Sequence, residues 1–406
     1  MAFSQAALPS AQPFAAARAI KLIGLTLALG YAVFLAGTYV QGQFLTDGAG
    51  LPIANDFVNV FAAGRLALDG HAAAAYDWPL HKAAEVNALG HDFADYYGWH
   101  YPPPLLFVAA ALATLPYLTA MLVWLLATLA AYAAAIGAIL RGRTGVLLAL
   151  GFPAALWNVT AGQNGFLTAA LIAATLGLME RRPALAGVCL GLLTYKPQFG
   201  LLFPLVLIAD RQWRMIAVAA AVAVAMAALS LIAFGGASWL AFAHWLPITS
   251  RVVLGEGAAD FGRLQSFYGL IRAHGGGETS AWTVQAIGSV VVAAWVLWQW
   301  RSRAPFDLKA AALAAGTLVV TPYLYMYDLV VLAVAVAFLL RHALARGFNA
   351  TEVCGLAAGG ALILAFPLLK TQVGLAAVLI VLALVAQQAL AALDARPDAG
   401  LPLARE

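Results

Sequence analysis

Apolar residues along this chain come in blocks and do not alternate with polar ones. Runs of roughly 20 apolar residues recur through most of the sequence, which is the length a bilayer hydrocarbon core demands. The first runs from Ile20 to Val40. From Pro102 to Ala209 the apolar pattern is nearly continuous, cut by prolines and polar islands. It predicts segments over 103–115, 117–140, 145–157, 164–179, 184–196 and 198–210. A helix over 213–234 follows, and later ones over 282–300, 308–323, 327–341, 352–368 and 372–392.

Two stretches break the apolar pattern. Gln41–Tyr101 carries Asp47, Asp56, Asp69, Asp77, Glu85, Asp92 and Asp95 against Arg65 and Lys82. Gly235–Ala281 contains a segment, Ser238 to Val253, with Trp239, Phe242, Trp245 and Leu246 as apolar anchors, the pattern of a helix lying in the headgroup plane. Basic residues set orientation. Arg18 and Lys21 precede the first helix, which puts the N-terminus inside and the first long stretch outside. Arg181, Arg182, Arg211, Arg214, Arg301, Arg303, Arg341 and Arg346 then fall inside. If every segment of 102–210 crossed, Arg211 would lie outside. The segment 145–157, which ends at the Gln163-Asn164 island, is therefore expected to dip without crossing; such breaks are tolerated only where they are buried in protein or line a wet cavity. The result is roughly twelve crossings of about 20 residues each, both termini inside, in a single polytopic domain over 1–406.

Composition sharpens the class. The 406 residues are 64% hydrophobic and only 10% charged, against about 25% charged in soluble domains. This excludes a soluble fold. The formal charge of +4 says little about nucleic acid, since basic residues here mark cytoplasmic loops. Met1 to Ala17 lack a basic leader region and the first apolar run has no clear cleavage site, so it reads as a retained helix. Cys189 and Cys354 lie in apolar stretches with no spacing partner and are expected to be small buried hydrophobes, with no disulfide or metal framework.

Candidate chemistry sits in the polar islands. Asn55-Asp56 opens an amphipathic run, Phe57 to Leu66. Asp56 is either a helix cap or a carboxylate able to take a proton as a general base. Trp99-His100-Tyr101 leads into three prolines that fix how the backbone enters the membrane; Trp99 and Tyr101 suit the interface, and His100 could act in acid–base chemistry. Lys196 interrupts an apolar span beside Pro197. A charge there costs a few kcal/mol at least and signals function by default, with snorkelling as the ordinary alternative. Next to a broken helix, its ammonium suits a phosphate. Gln163 and Asn164 can hydrogen-bond sugar hydroxyls, and Arg263 offers a second phosphate contact. The last island, Thr321 to Asp328, places Tyr327 and Asp328 at the same outer end, where they serve either as interface and cap or as part of one cluster with Asp56 and Lys196.

These islands carry a resemblance. Asn55-Asp56-Phe57, Ala63 to Gly70, Ala75-Tyr76-Asp77, Tyr101 to Pro104, Gly162-Gln163-Asn164, Ala186-Gly187 through Lys196-Pro197-Gln198, and Thr321-Pro322-Tyr323 with Tyr327-Asp328 resemble glycosyltransferase family 87 in order and spacing, over about residues 20–340. The resemblance implies an all-α GT-C membrane fold. It implies a polyprenyl-phosphate-linked sugar as donor, usually mannose, and an acidic base in the first outer loop, which falls on Asp56. Some members carry a histidine in the late island; here it reads Tyr325-Met326-Tyr327-Asp328. Ala54 and Val58 leave no Asp-X-Asp around Asp56, so neither metal nor other cofactor is expected. The expected function is transfer of a hexose to an envelope glycan or glycolipid on the periplasmic face of the inner membrane. A transporter or lipid flippase, or a glycan polymerase or ligase, are the alternatives. A flippase would need charges along the whole bundle axis, whereas here they gather toward one face.

Overall fold

The computed structural model describes residues 12–258 and 260–394. Among the described residues it is helical without a strand, with only isolated bridges of Thr46 to Phe44 and to Pro52. The α-helices in chain order are α1 (Gln12–Val40), α2 (Phe57–Leu68), α3 (Trp78–Leu89), α4 (Leu106–Leu112), α5 (Tyr117–Leu140), α6 (Arg143–Gly151), α7 (Pro153–Ala161), α8 (Gly165–Leu178) and α9 (Pro183–Leu192). They continue with α10 (Phe203–Ala209), α11 (Trp213–Ser250), α12 (Phe267–Ala273), α13 (Glu278–Arg301), α14 (Phe306–Val319), α15 (Leu332–Arg346), α16 (Ala350–Leu364), α17 (Phe366–Leu369) and α18 (Val373–Asp394).

The chain is a multi-pass membrane protein. α14 and α15 form the axis: Ala310 to Ala315 and Ala333 to Leu339 are buried on every side. The alanines of α14 present methyl groups only, which lets its neighbours approach closely. Around this axis the outward surface is apolar, with Val33 73%, Ile232 82%, Leu240 74% and Val290 67% exposed. A patch of that extent is tolerated in lipid and not in water.

Among the described residues six helices are long and apolar enough to cross a bilayer, or seven if the bent pair α6 and α7 counts as one. The other apolar helices have 10–17 residues. The sequence predicts roughly twelve full-length crossings; the structure instead divides many of those segments at Gly and Pro. Segment 145–157, expected to dip, bends by 58° between α6 and α7, with Phe152-Pro153 at the break. The first helix begins at Gln12, earlier than its apolar run, and the basic Arg18 and Lys21 lie within it. The cysteine expectation is corrected: Cys354 is exposed and Cys189 only half-buried, because both face outward from their helices.

The two polar stretches meet at one end of the bundle. α11 has a break at Gly235 (φ 76°), a conformation that glycine adopts without strain. Beyond it the helix turns across the first stretch. Phe242 packs on Tyr76 (ring centroids 5.8 Å) and Trp245 stacks on Trp78 (5.4 Å). This corrects the expectation of four lipid anchors: Phe242 and Trp245 face protein, and Leu246 is 50% exposed. A topology test follows. In a background with Cys189 and Cys354 replaced by serine, Asp95→Cys and Glu256→Cys should react with an impermeant thiol reagent from the same side, and Arg181→Cys and Arg301→Cys only from the other. Labelling of positions 95 and 256 from opposite sides would separate the two stretches that the structure joins.

Candidate active site

Asp56 sits at the start of α2, yet its carboxylate caps nothing. The capping role passes to its neighbour: Asn55 Oδ1 accepts from the Phe57 N–H at 3.0 Å. The Asp56 backbone N–H is tied to the Ala161 carbonyl at 3.0 Å, which pins the α1–α2 connection to the end of α7. The side chain is thus free to face the turn after α7, where Asp56 Oδ2 accepts from Gln163 Nε2 at 2.7 Å. Gln163 Oε1 in turn accepts from the Tyr101 hydroxyl at 3.3 Å and the Asn164 N–H at 3.2 Å. The turn is possible because Gly162 adopts φ 70°, and a Cβ there would lie 2.8 Å from Asn55 Oδ1. Only glycine fits on both counts.

The adjacent residue serves a second group. Asn164 Oδ1 accepts from Lys196 Nζ at 2.9 Å, and Lys196 Nζ is 2.5 Å from Asp328 Oδ1. Lys196 lies where α9 gives way to two 3-10 turns, Leu193–Tyr195 and Pro197–Gly200, and its own backbone is non-helical (φ −136°). Pro197 has no N–H to continue a helix. Asp328 also accepts from the Tyr325 N–H at 3.3 Å, so it is both a cap and an ion-pair partner. Tyr327 stacks on Tyr325 at 5.4 Å and places its ring 5.5 Å from the Lys196 ammonium. An ammonium has three donors; the third N–H of Lys196 has no protein partner among the described residues. The Asn164 side-chain N–H₂ is buried and unpartnered as well.

Asp56 is partly accessible although protein surrounds it closely, which describes a recess. Desolvation pushes its carboxyl up to about 6; the Gln163 hydrogen bond and the charges of Lys196 and Arg263 pull it down, and Asp328 pushes it up. Asp56, Gln163, Asn164, Tyr101, Lys196, Tyr327 and Asp328 are therefore one connected cluster. Arg263 is exposed at its edge and acts on Asp56 through its field, without a direct contact. Gln265 holds that edge in place: it donates to the Gly262 carbonyl at 3.1 Å and accepts from the Gly374 N–H at 2.8 Å. His100 stands apart, exposed and paired with Thr249 at 3.3 Å.

Sequence reasoning missed other buried groups. Asn158 and Thr168 line the cluster, and their only sequence signal is a polar residue within an apolar helix. His81 and Glu85, one turn apart on α3, are fully buried with Nε2 and Oε1 3.6 Å apart. Burial lowers the His81 imidazole and raises the Glu85 carboxyl, so both favour their neutral forms. Among the described residues no group of three or more His, Cys, Asp or Glu is placed to hold a metal ion.

The profile of glycosyltransferase family 87 matches residues 99–322, more than half of the chain. The chain belongs to glycosyltransferase family 87. No curated protein and no solved structure matches it. The family 87 match covers Tyr101, Gln163, Asn164, Lys196 and Arg263, and stops short of Asp56 and Asp328 on either side. It is narrower than the resemblance over 20–340. Asp56 and Asp328 come to the matched residues through geometry: one through Gln163, the other through Lys196. As a family 87 member, the protein is a membrane glycosyltransferase.

Proposed function

We propose that this glycosyltransferase moves a hexose, mannose in the first instance, from a polyprenyl-phosphate donor to a hydroxyl of an envelope glycan or glycolipid on the periplasmic face of the inner membrane, within a GT-C-type bundle. The observation that carries this is the pairing, by one turn, of a partly accessible carboxylate and a buried ammonium through Gln163 and Asn164. In this mechanism the acceptor oxygen attacks the anomeric carbon as the bond to the phosphate oxygen breaks. The configuration inverts. Asp56 takes the hydroxyl proton, and polyprenyl phosphate leaves with the bonding electrons. A base titrating near the working pH is well matched to that task. The unpartnered Lys196 N–H and the exposed Arg263 guanidinium meet the charge on the leaving phosphate, which needs electrostatic help more than a proton. Asn164 Nδ2, Gln163, Tyr101 and Tyr327 offer hydrogen bonds and ring faces to the sugar. Asp328 holds Lys196 in place, and exposed His100, outside the cluster, is left as a contact for the acceptor.

The decisive experiment incubates purified protein with labelled polyprenyl-phosphate-mannose and envelope acceptors and identifies the product. No transfer with any polyprenyl-phosphate hexose would overturn this proposal. Metal dependence is a separate check. Catalytic divalent ions need several oxygen ligands; Asp56 has no acid two residues away on either side, and the other carboxylate of the cluster, Asp328, is already paired with Lys196. With cations in the metal's electrostatic role, turnover should survive EDTA within about twofold. Complete loss, restored by Mg²⁺ or Mn²⁺, would make Asp56 a ligand instead of a base.

A further inference from the structure

Asn158 lies in the last turn of α7 and is fully buried. A carboxamide in an apolar helix is costly unless both ends are used. Here both are. Nδ2 donates to the Gln163 carbonyl at 3.1 Å, and Oδ1 accepts from the Gly165 N–H at 2.8 Å. One partner is a carbonyl and the other an N–H, so the amide has a single sensible orientation.

Helix closure does not need this side chain. Backbone bonds already end α7: the Gly162 N–H reaches the Val159 carbonyl at 3.2 Å, and the Gln163 N–H reaches the Asn158 carbonyl at 3.2 Å. The side chain goes further and grips the turn on both sides of Gln163-Asn164. Those are the residues that hold Asp56 and Lys196. On the far side, a Cβ at Gly165 would lie 2.4 Å from the Tyr327 carbonyl, so the same turn is pressed against the segment that carries Asp328.

We infer that Asn158 is a positioning residue: its side-chain amide fixes the 162–165 turn so that Gln163 is held against Asp56. The catalytic consequence rests on the function proposed above. The geometric claim does not, since it concerns how Asp56 is held in the resting protein. Asn158 acts through Gln163 and touches no reacting atom.

The test uses the full-length protein in detergent. Asp56 is modified with a water-soluble carbodiimide and an amine, and the extent is measured by mass spectrometry across pH. The reagent consumes the protonated carboxyl, so the midpoint reports how strongly Gln163 holds the anion. Asn158→Leu, close in size but unable to donate or accept, should raise the midpoint by about one pH unit, the scale of one hydrogen bond to a charged carboxylate. Gln163→Leu should do the same. The double variant should move no further than Gln163→Leu alone, because both remove one interaction. Thr160→Val is the control. Thr160 lies on the same helix and bonds only to carbonyls one turn back, at Leu156 and Trp157, so the midpoint should not move. Turnover of Asn158→Leu should fall by about 100-fold, as expected for a displaced catalytic group. If Asn158→Leu is not recovered folded, Asn158→Ala carries the same measurement. An unchanged midpoint in a folded Asn158 variant, or a double variant that adds to Gln163→Leu, overturns the inference. If the midpoints shift as expected but the wild type transfers no sugar, the positioning role stands and the proposed function falls.

Discussion

Replacing Asp56 with asparagine is expected to cut transfer by about 10²–10⁴-fold, the usual contribution of a positioned general base. The fold should survive. The carboxylate caps no helix and accepts one side-chain hydrogen bond, from Gln163, which the asparagine carbonyl can still accept. Titration supplies a second readout. Desolvation raises the Asp56 carboxyl to about 6, so the base form is present above that pH, and wild-type turnover should fall as pH drops through it. The stability effect has the opposite sense. A carboxyl that holds its proton more tightly when folded favours the folded state at low pH and costs stability as pH rises through its folded value. A neutral carboxamide carries no such cost. The D56N protein should therefore melt no lower than wild type at neutral pH while turning over far more slowly. A purified variant with near-normal kcat at neutral pH would remove Asp56 as the base.

The second large effect concerns Lys196 and Asp328. Their side chains are 7% and 1% exposed, so removing either partner alone strands a charge in a dry environment. Lys196→Met is expected to destabilise the protein by about 3–5 kcal/mol, as is usual when a buried pair loses one member. It should also weaken donor-lipid binding by about 1.5–3 kcal/mol, the range for one charge-assisted hydrogen bond. The double variant K196M/D328N separates these roles. It removes the stranded charge, so thermal stability should return toward wild type while donor affinity stays low. Recovery of both would make the pair purely structural. An unchanged donor Kd in K196M would show that no phosphate contacts this ammonium.

Much of this arrangement was legible in the sequence. The apolar blocks locate most helices to within a few residues, because each needs a continuous lipid-facing or core-facing run. The polar islands mark the cluster because a polar group in such a run must have a reason. What the pattern does not contain is pairing. Lys196 and Asp328 are 132 positions apart and Asp56 and Gln163 are 107 apart, and no local periodicity links them. Asp56 as cap or free carboxylate is undecidable from position, since Asn55 offers the same capping chemistry one residue earlier. In the first polar stretch α2 shows as an amphipathic run, but α3 escapes notice because its buried face is short and includes His81 and Glu85. The bent and divided helices are hidden for another reason. A proline or glycine in an apolar run signals a break but not its angle.

The break at Gly235 also works as a depth gauge. The apolar helix from Trp213 to Gly255 has 43 residues, about 65 Å if straight at 1.5 Å per residue. A hydrocarbon core is roughly 30 Å thick. The arm from Trp213 to Phe234 is about 33 Å long and alone suffices to cross it. Gly235 is thus a point where the crossing arm of α11 can end and a second arm begin. The second arm rests on Tyr76 and Trp78, at the same end of the bundle as Asp56. For the donor proposed above, the join between the two arms is where an isoprenoid, which needs hydrocarbon, would part from a sugar, which needs water.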